Sequence, residues 1–280
     1  MEHLFGAWSE LEPCLKDRPV IIFLDYDGTL TPIVDRPELA ELSSEERSFL
    51  SEMSRVEGLQ IVILSGRSLI DVKEKVCLPG ILYAGNHGLE FENSESFHIH
   101  PEALLWKNTL HKLRAELMKA FKAYKEILIE DKVFTLSVHY RLLGAKNEES
   151  IYKILLSVLA AQPDFSKLFL THGKKVWEIR PPISWDKGAA LLWMLDQASA
   201  HAPVSPFPVY AGDDWTDEDA FKILNDRGLG IKITRYPQDF SYASHYLSSP
   251  AELFEFLRKL VTLKKGKEKS HAEYRASKSF

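Results

Sequence analysis

Cysteine is nearly absent from this 280-residue chain. It has only Cys14 and Cys77, and neither lies in a metal-binding spacing. A disulfide framework and a cysteine-ligated zinc site are thereby excluded, and a reducing compartment is expected. No apolar stretch approaches the roughly 18 residues that span a bilayer. No basic segment runs into an apolar one at the start, so a cytoplasmic protein with no membrane partner is expected. An excess of positive charge is also missing: 35 basic residues stand against 40 acidic, a net charge of −5. That balance argues against a nucleic-acid partner and still allows a local positive pocket for a small anion. There is no internal repeat.

What is present is ordinary globular material, 45% hydrophobic and long enough for a sizeable core. Five short apolar runs read as buried parallel strands: 20–24, 59–64, 81–84, 209–211 and 229–233. Helical patterns separate them. Ser43 and Glu46 form a capping box ahead of Phe49, Leu50 and Met53, and Ser68 with Asp71 opens a second helix. Leu4, Trp8, Leu11 and Leu15 mark a short N-terminal helix. Alternating strands and helices predict an α/β core with a doubly wound, Rossmann-like parallel sheet. The middle of the chain differs. Residues 110–124 step as a long amphipathic helix, and 133–141 alternate as an antiparallel strand with one packed and one polar face. A helix near 148–160 and strands near 165–171 and 174–180 complete an inserted α+β cap. The expected division is core 1–103, cap 104–178, core 179–263, and a disordered basic tail 264–280.

Ligands of such sheets bind outside the carboxyl ends of the strands. Four of the runs lead directly into Asp25-Tyr26-Asp27, Ser65-Gly66-Arg67, Gly85-Asn86-His87-Gly88 and Gly212-Asp213-Asp214. Core packing does not require that coincidence. Asp25 and Asp27 are two like charges at a strand end, which is costly without a cation. Magnesium takes oxygen ligands from one or two carboxylates plus a phosphate, although a lone acidic pair also suits a surface loop. Thr216 and Asp219 are expected to cap the following helix, which leaves Asp213 and Asp214 without a structural reason. Counter-charge for a phosphate comes from Lys187 in Trp185-Asp186-Lys187-Gly188, from the Ser65 hydroxyl with its neighbouring N–H groups, and from the Arg67 fork.

In order, DYDGTLTP, LSGR, WDKG and GDDWTDEDAF resemble the motifs of the haloacid-dehalogenase-like phosphotransferase superfamily. AGNHGLE, SVHYR and GKKVWEIRP are similar to segments of its trehalose-6-phosphate phosphatases. The resemblance runs from about residue 20 to 250. It implies that Asp25 is the nucleophile and Asp27 the general acid and then base. It implies Mg2+ held by the Asp25 carboxylate, the Asp27 backbone carbonyl and the Asp213 carboxylate, with Asp214 and Asp217 as supporting acids. Ser65, Gly66 and Lys187 would bind the phosphoryl group. On the last cap strand Lys174, Glu178 and Arg180 share a face by period two, and the resemblance makes them sugar contacts. Arg67, His87 and Arg141, with His139 beside it, are further candidate contacts. The stretch between Asp25 and Ser65 has no room for another domain and that between Ser65 and Lys187 does, so the cap follows the second motif. Superfamily members with such a cap mostly act on small phosphorylated metabolites, so the expected partner is a phosphosugar. A trehalose-phosphate synthase partner is left open. The rivals are a hexose phosphomutase, which would require a bisphosphate, a phosphatase for another phosphosugar, and a non-catalytic domain that regulates a synthase.

Overall fold

The structure, a computed structural model, describes residues 1–93, 96–143, 147–200 and 202–277, with side chains through 266. The first part of the core comprises β1 (Glu2–His3), α1 (Trp8–Asp17), β2 (Val20–Leu24), α2 (Ser44–Met53), β3 (Leu59–Leu64), α3 (Leu69–Val76), β4 (Leu82–Gly85), β5 (Glu90–Glu92) and β6 (Phe97–Ile99). The insert comprises α4 (Pro101–Ala120), β7 (Leu128–Asp131), β8 (Leu136–His139), α5 (Glu148–Ala160), β9 (Phe169–Gly173) and β10 (Val176–Arg180). The core resumes with α6 (Lys187–Ala200), β11 (Phe207–Gly212), α7 (Glu218–Leu224), β12 (Leu229–Ile233), β13 (His245–Leu247) and α8 (Pro250–Ser277).

The core sheet has the order β1-β13-β12-β11-β2-β3-β4-β5-β6. It is parallel from β1 to β4, and β5 pairs antiparallel with both β4 and β6. Successive side chains of a strand face opposite sides, and the apolar runs supply both. Ile22, Leu24, Ile61 and Ile63 pack with Leu15, Leu50, Val72, Leu253 and Leu257 on one side. Ile21, Phe23, Val62 and Leu64 pack with Ala190, Leu191, Met194 and Phe221 on the other. The result is a helix–sheet–helix sandwich with β2 at its centre, all five of its residues buried. The capping box of Ser43 with Glu46 is present on α2, and Ser68 Oγ accepts from the Asp71 N–H at α3.

The cap is a separate four-stranded antiparallel sheet, β7-β8-β10-β9, covered by α4 and α5. Leu136, Val138, Trp177 and Ile179 bury against Leu110, Leu113, Leu117, Ile151 and Leu155. The first helix of the insert begins at Pro101, and its last strand ends at Arg180 as expected. Three expectations are corrected. The strand expected over 133–141 is confined to Leu136–His139, because Val133 takes a positive φ of 72°. Lys174 lies outside the last strand: it sits in the β9–β10 hairpin turn beside Lys175, whose φ is 65°. The tail expected to lack structure continues α8 as far as Ser277, its Lys, Glu, Ala and Arg being good helix formers. Residues 278–280 of that tail lie outside the described residues. The sequence pattern also missed β1 and β13, too short to show periodicity. Among the described residues no helix is long and apolar enough to cross a membrane.

Candidate active site

Asp25 follows β2 directly, and its N–H donates to the Ala211 carbonyl at 3.0 Å, so the sheet ladder itself fixes its backbone. Beside it, Asp213 follows β11. Asp217 closes the next turn, Trp215–Asp217. These three buried acids place carboxylate oxygens within 4.8 Å of one another. Lys187, the first residue of α6, meets them: its Nζ donates to Asp25 Oδ1 at 2.8 Å and to Asp217 Oδ1 at 2.6 Å. At 3% exposure that ammonium is held well above its ordinary pKa by Asp217 and Asp25 in spite of burial. Burial favours a raised pKa for Asp217 too, yet Lys187, the Tyr210 hydroxyl at 2.6 Å and the Asp214 N–H at 2.8 Å hold it down. Asp25 lies in the opposite direction: burial, with Asp217 and Asp213 alongside, outweighs Lys187 and pushes it well above the usual carboxylate range. Asp213 is pushed up to about 7 by burial although Lys174 Nζ stands 2.5 Å from its Oδ2. Burial likewise raises Asp214.

Asp214 and Asp217, not Thr216 and Asp219, form the capping box of this turn. The turn itself starts at Trp215, so its cap is Asp214, two residues before Thr216. Gly28 is dictated by its neighbours. Its φ is 83°, and a Cβ there would lie 2.1 Å from Asp213 Oδ2, so only glycine lets the first acidic loop approach the second.

Asp27 is separated from this cluster. Arg67 Nε and Nη2 grip its two carboxylate oxygens at 2.7 Å each. The same guanidinium donates to Asp71 Oδ2 at 2.5 Å and to the Pro37 carbonyl at 2.8 Å, and it lies over the Tyr26 ring. Arg67, expected as a phosphate fork, lines the cleft with its donors engaged by Asp27, Asp71 and Pro37. Ser65 follows β3, buried, its N–H bonded to the Ala84 carbonyl at 3.0 Å. Gly66 packs against the His87 ring, where a Cβ would come within 2.8 Å.

The cap sheet supplies the opposite wall. Ser137, His139, Thr171, Gly173, Val176 and Glu178 are cross-strand neighbours on one face, and all line the cleft above Asp25. The polar face of the alternating strand thus looks at the cleft and not at bulk water. Glu178 is tied across it: His87 Nε2 lies 2.7 Å from Oε2, and Lys132 Nζ donates to Oε1 at 3.1 Å. Lys132 also donates to the Gly66 carbonyl at 2.8 Å, joining cap to core. Burial alone would raise Glu178, but His87 and Lys132 hold it far below the ordinary range. Burial lowers His87 to about 4, so at neutral pH it is uncharged and donates from Nε2. Arg141 lines the cleft and donates to the Lys174 carbonyl at 2.8 Å. Arg180 does not line it; its Nη2 donates to the Trp185 carbonyl at 2.8 Å at the return to the core. Lys132 and Glu130, which pairs with His139 at 2.8 Å, line the cleft and were missed from sequence. Glu130 lies on β7, whose four residues are too few to show a periodicity, and Lys132 follows that strand directly.

The donor set fits a hard divalent cation. Three buried carboxylates face Lys187, with Lys174 reaching Asp213, all the acidic ligands are oxygens, and no cysteine or histidine among the described residues joins them. A doubly wound sheet with paired acids after its central strand, a lysine opening a later helix and a late cap defines a haloacid-dehalogenase-like phosphohydrolase. The family model described as trehalose-phosphatase matches residues 23–251. "Probable trehalose-phosphate phosphatase I" of Arabidopsis thaliana is 36% identical over 269 residues, 92% of this chain and 71% of its own length. "Trehalose 6-phosphate phosphatase RA3" of Zea mays is also 36% identical, over 94% of this chain and 76% of its own. In fold, a solved "trehalose-6-phosphate phosphatase related protein" superposes with a TM-score of 0.76 at 23% identity, covering 88% of this chain and 99% of that one. The chain belongs to the trehalose-phosphatase family and is a phosphomonoester hydrolase.

Proposed function

We propose that the protein hydrolyses trehalose 6-phosphate to trehalose and inorganic phosphate with Mg2+, through an aspartyl-phosphate on Asp25. The observation that carries this reading is Asp25 itself. It lies buried beside Asp213 and Asp217 and is bonded to Lys187, at the floor of a cleft whose opposite wall is polar cap sheet. Asp25, Asp213 and the Asp27 backbone carbonyl would hold the cation, with Asp217 supporting Lys187. Bound there, Mg2+ would neutralise phosphoryl oxygens and let one anion approach another.

The side chains divide the remaining work. Lys187, Ser65 and the N–H groups that follow it receive phosphoryl oxygens and stabilise the charge that shifts onto them. An Asp25 carboxylate oxygen bonds to phosphorus as the ester P–O bond breaks, and the departing sugar oxygen takes a proton from Asp27. A water then attacks the same phosphorus, passing a proton to Asp27, and Asp25 is released with its oxygen intact. The Arg67 clamp holds the Asp27 carboxylate for both transfers. Lys132, Glu178 and Lys174 face the position of the sugar.

Replacing Asp25 by Asn keeps size and hydrogen bonding and removes the nucleophile. Phosphate release from trehalose 6-phosphate should fall to background in Asp25→Asn with its circular dichroism unchanged. A variant that retained near-normal turnover would overturn the covalent route.

A further inference from the structure

The catalytic cleft carries two exposed apolar groups that the chemistry at Asp25 does not use. Trp215 is 43% exposed and Ile33 46%, and both line the cleft. No other exposed large hydrophobic side chain among the described residues does so. Ile33 belongs to the loop that leaves β2, and Trp215 opens the turn that follows β11. Both therefore stand on the carboxyl edge of the sheet, where ligands of such folds bind. A single exposed aromatic is ordinary on a protein surface. Two apolar groups from separate loops in one polar cleft call for a reason.

Trp215 is the larger of the two, and its backbone is firmly held. Asp214 Oδ1 accepts from the Trp215 N–H at 2.8 Å, and Asp217 Oδ2 accepts from the Asp214 N–H at 2.8 Å. Asp217 in turn is buried against Lys187 and the Tyr210 hydroxyl. The turn is thus anchored to the catalytic lysine. The indole, by contrast, meets no other ring, and its N–H has no hydrogen-bond partner among the described residues. Its position adjoins the meeting of cap and core, since a Cβ on Gly173 of the cap hairpin would lie 3.7 Å from Asp214 Oδ2. A stiff turn holds a large apolar ring, with a free donor, at the rim of the cleft.

The rest of the lining indicates what covers that ring. Glu130, Lys132, Arg141 and Glu178 offer charged groups suited to hydroxyls, but hydroxyls are only the rim of a sugar. Its C–H faces need an apolar partner, which an aromatic ring with a polar edge supplies. We propose that Trp215 is a specificity-determining contact that takes the C–H face of the sugar. The inference rests on the reading of this cleft as a phosphosugar site. It adds the residue by which a sugar ester is told from a phosphate ester without a ring.

The test measures kcat and KM of the full chain with Mg2+ on trehalose 6-phosphate and on acetyl phosphate, which has no ring. Trp215→Ala should lose roughly tenfold more in kcat/KM on trehalose 6-phosphate than on acetyl phosphate, with the loss carried by KM. Trp215→Phe, which keeps an apolar ring, should recover most of it. A second readout uses the Asp25→Asn background, where trehalose 6-phosphate should move tryptophan emission to shorter wavelength. The chain has six tryptophans, so the signal is the part of the change that Trp215→Phe removes. Equal losses on the two substrates, or a loss confined to kcat, would make Trp215 a support of the acidic turn and overturn the proposal. Equal turnover of trehalose 6-phosphate by the wild type and Trp215→Ala would also overturn it. Those outcomes leave the proposed reaction standing. A wild type that hydrolyses acetyl phosphate and not trehalose 6-phosphate would instead overturn that reaction, and this inference with it. Should Asp25→Asn fail to fold, the kinetic comparison decides alone.

Discussion

Arg67 is the residue whose role changes most between sequence and structure. In isolation it reads as a fork for phosphate oxygens, because a guanidinium beside a serine at a strand end has that geometry. In the fold its Nε and Nη2 hold Asp27 by two bonds of 2.7 Å, and Asp71 and Pro37 take further donors. Arg67→Lys keeps the charge and loses the fork. A lost charge-assisted hydrogen bond is worth about 1.5–3 kcal/mol, so kcat should fall roughly ten- to hundredfold with KM nearly constant. A variant that raised KM at constant kcat would return Arg67 to the substrate. His87 supplies a second test at this scale. Its pKa is lowered to about 4 by burial, whereas an unfolded histidine titrates near 6.5. Between those values the unfolded chain binds a proton that the folded one refuses, so stability should drop as pH falls from about 6.5 towards 4. Melting curves across that window should show His87→Asn losing less stability than the wild type; parallel losses would remove His87 from the account. Asp25, Ser65, Lys187 and Asp213 were legible in the sequence because each sits directly after a strand or at the start of a helix. Lys132 and Glu130 were not, since their positions depend on how the cap folds back over the core.

At the scale of elements, the central strands were legible because their apolar runs are continuous, as strands buried on both faces must be. The alternation around β8 was legible for the complementary reason, and its polar face proved to be the wall of the cleft. What the pattern could not convey was the partner of each short strand: β1 finds β13 only in three dimensions, and β5 and β6 extend the sheet as a hairpin. The cap sheet makes one clear prediction. Glu178 on β10 faces the cleft and carries Lys132 and His87 with it, while Asp25 and Lys187 belong to the core. Glu178→Ala should reduce kcat/KM for trehalose 6-phosphate by about ten- to hundredfold, the value of one charged hydrogen bond. Hydrolysis of a small aryl phosphate, which needs no sugar contact, should change little. Both substrates measured on both proteins decide the matter, and equal losses would assign Glu178 to the fold or to the core chemistry.

Across the whole molecule, the two acidic loops come from opposite halves of the chain and meet only when β2 and β11 pair. Folding therefore assembles the Asp25, Asp213 and Asp217 carboxylates within 4.8 Å, with Lys187 between two of them. Lys187 and Lys174 set two cations against three buried acids, and the residual repulsion appears as the raised pKa of Asp25 and of Asp213, the latter to about 7, with burial the larger cause in both. A divalent cation bound by the folded chain and not by the unfolded one would relieve that repulsion and stabilise the fold by mass action. Mg2+ should therefore raise the melting temperature of the wild type in a concentration-dependent way. It should also restore phosphate release after chelation. Asp213→Asn, which removes one of the converging charges, should melt higher than the wild type without cation and gain much less from Mg2+. The paired melting curves separate the ion's place in the structure from its part in the reaction. A wild type that melts identically with and without Mg2+, and hydrolyses its substrate after exhaustive chelation, would show that the acidic cluster serves some end other than holding a metal.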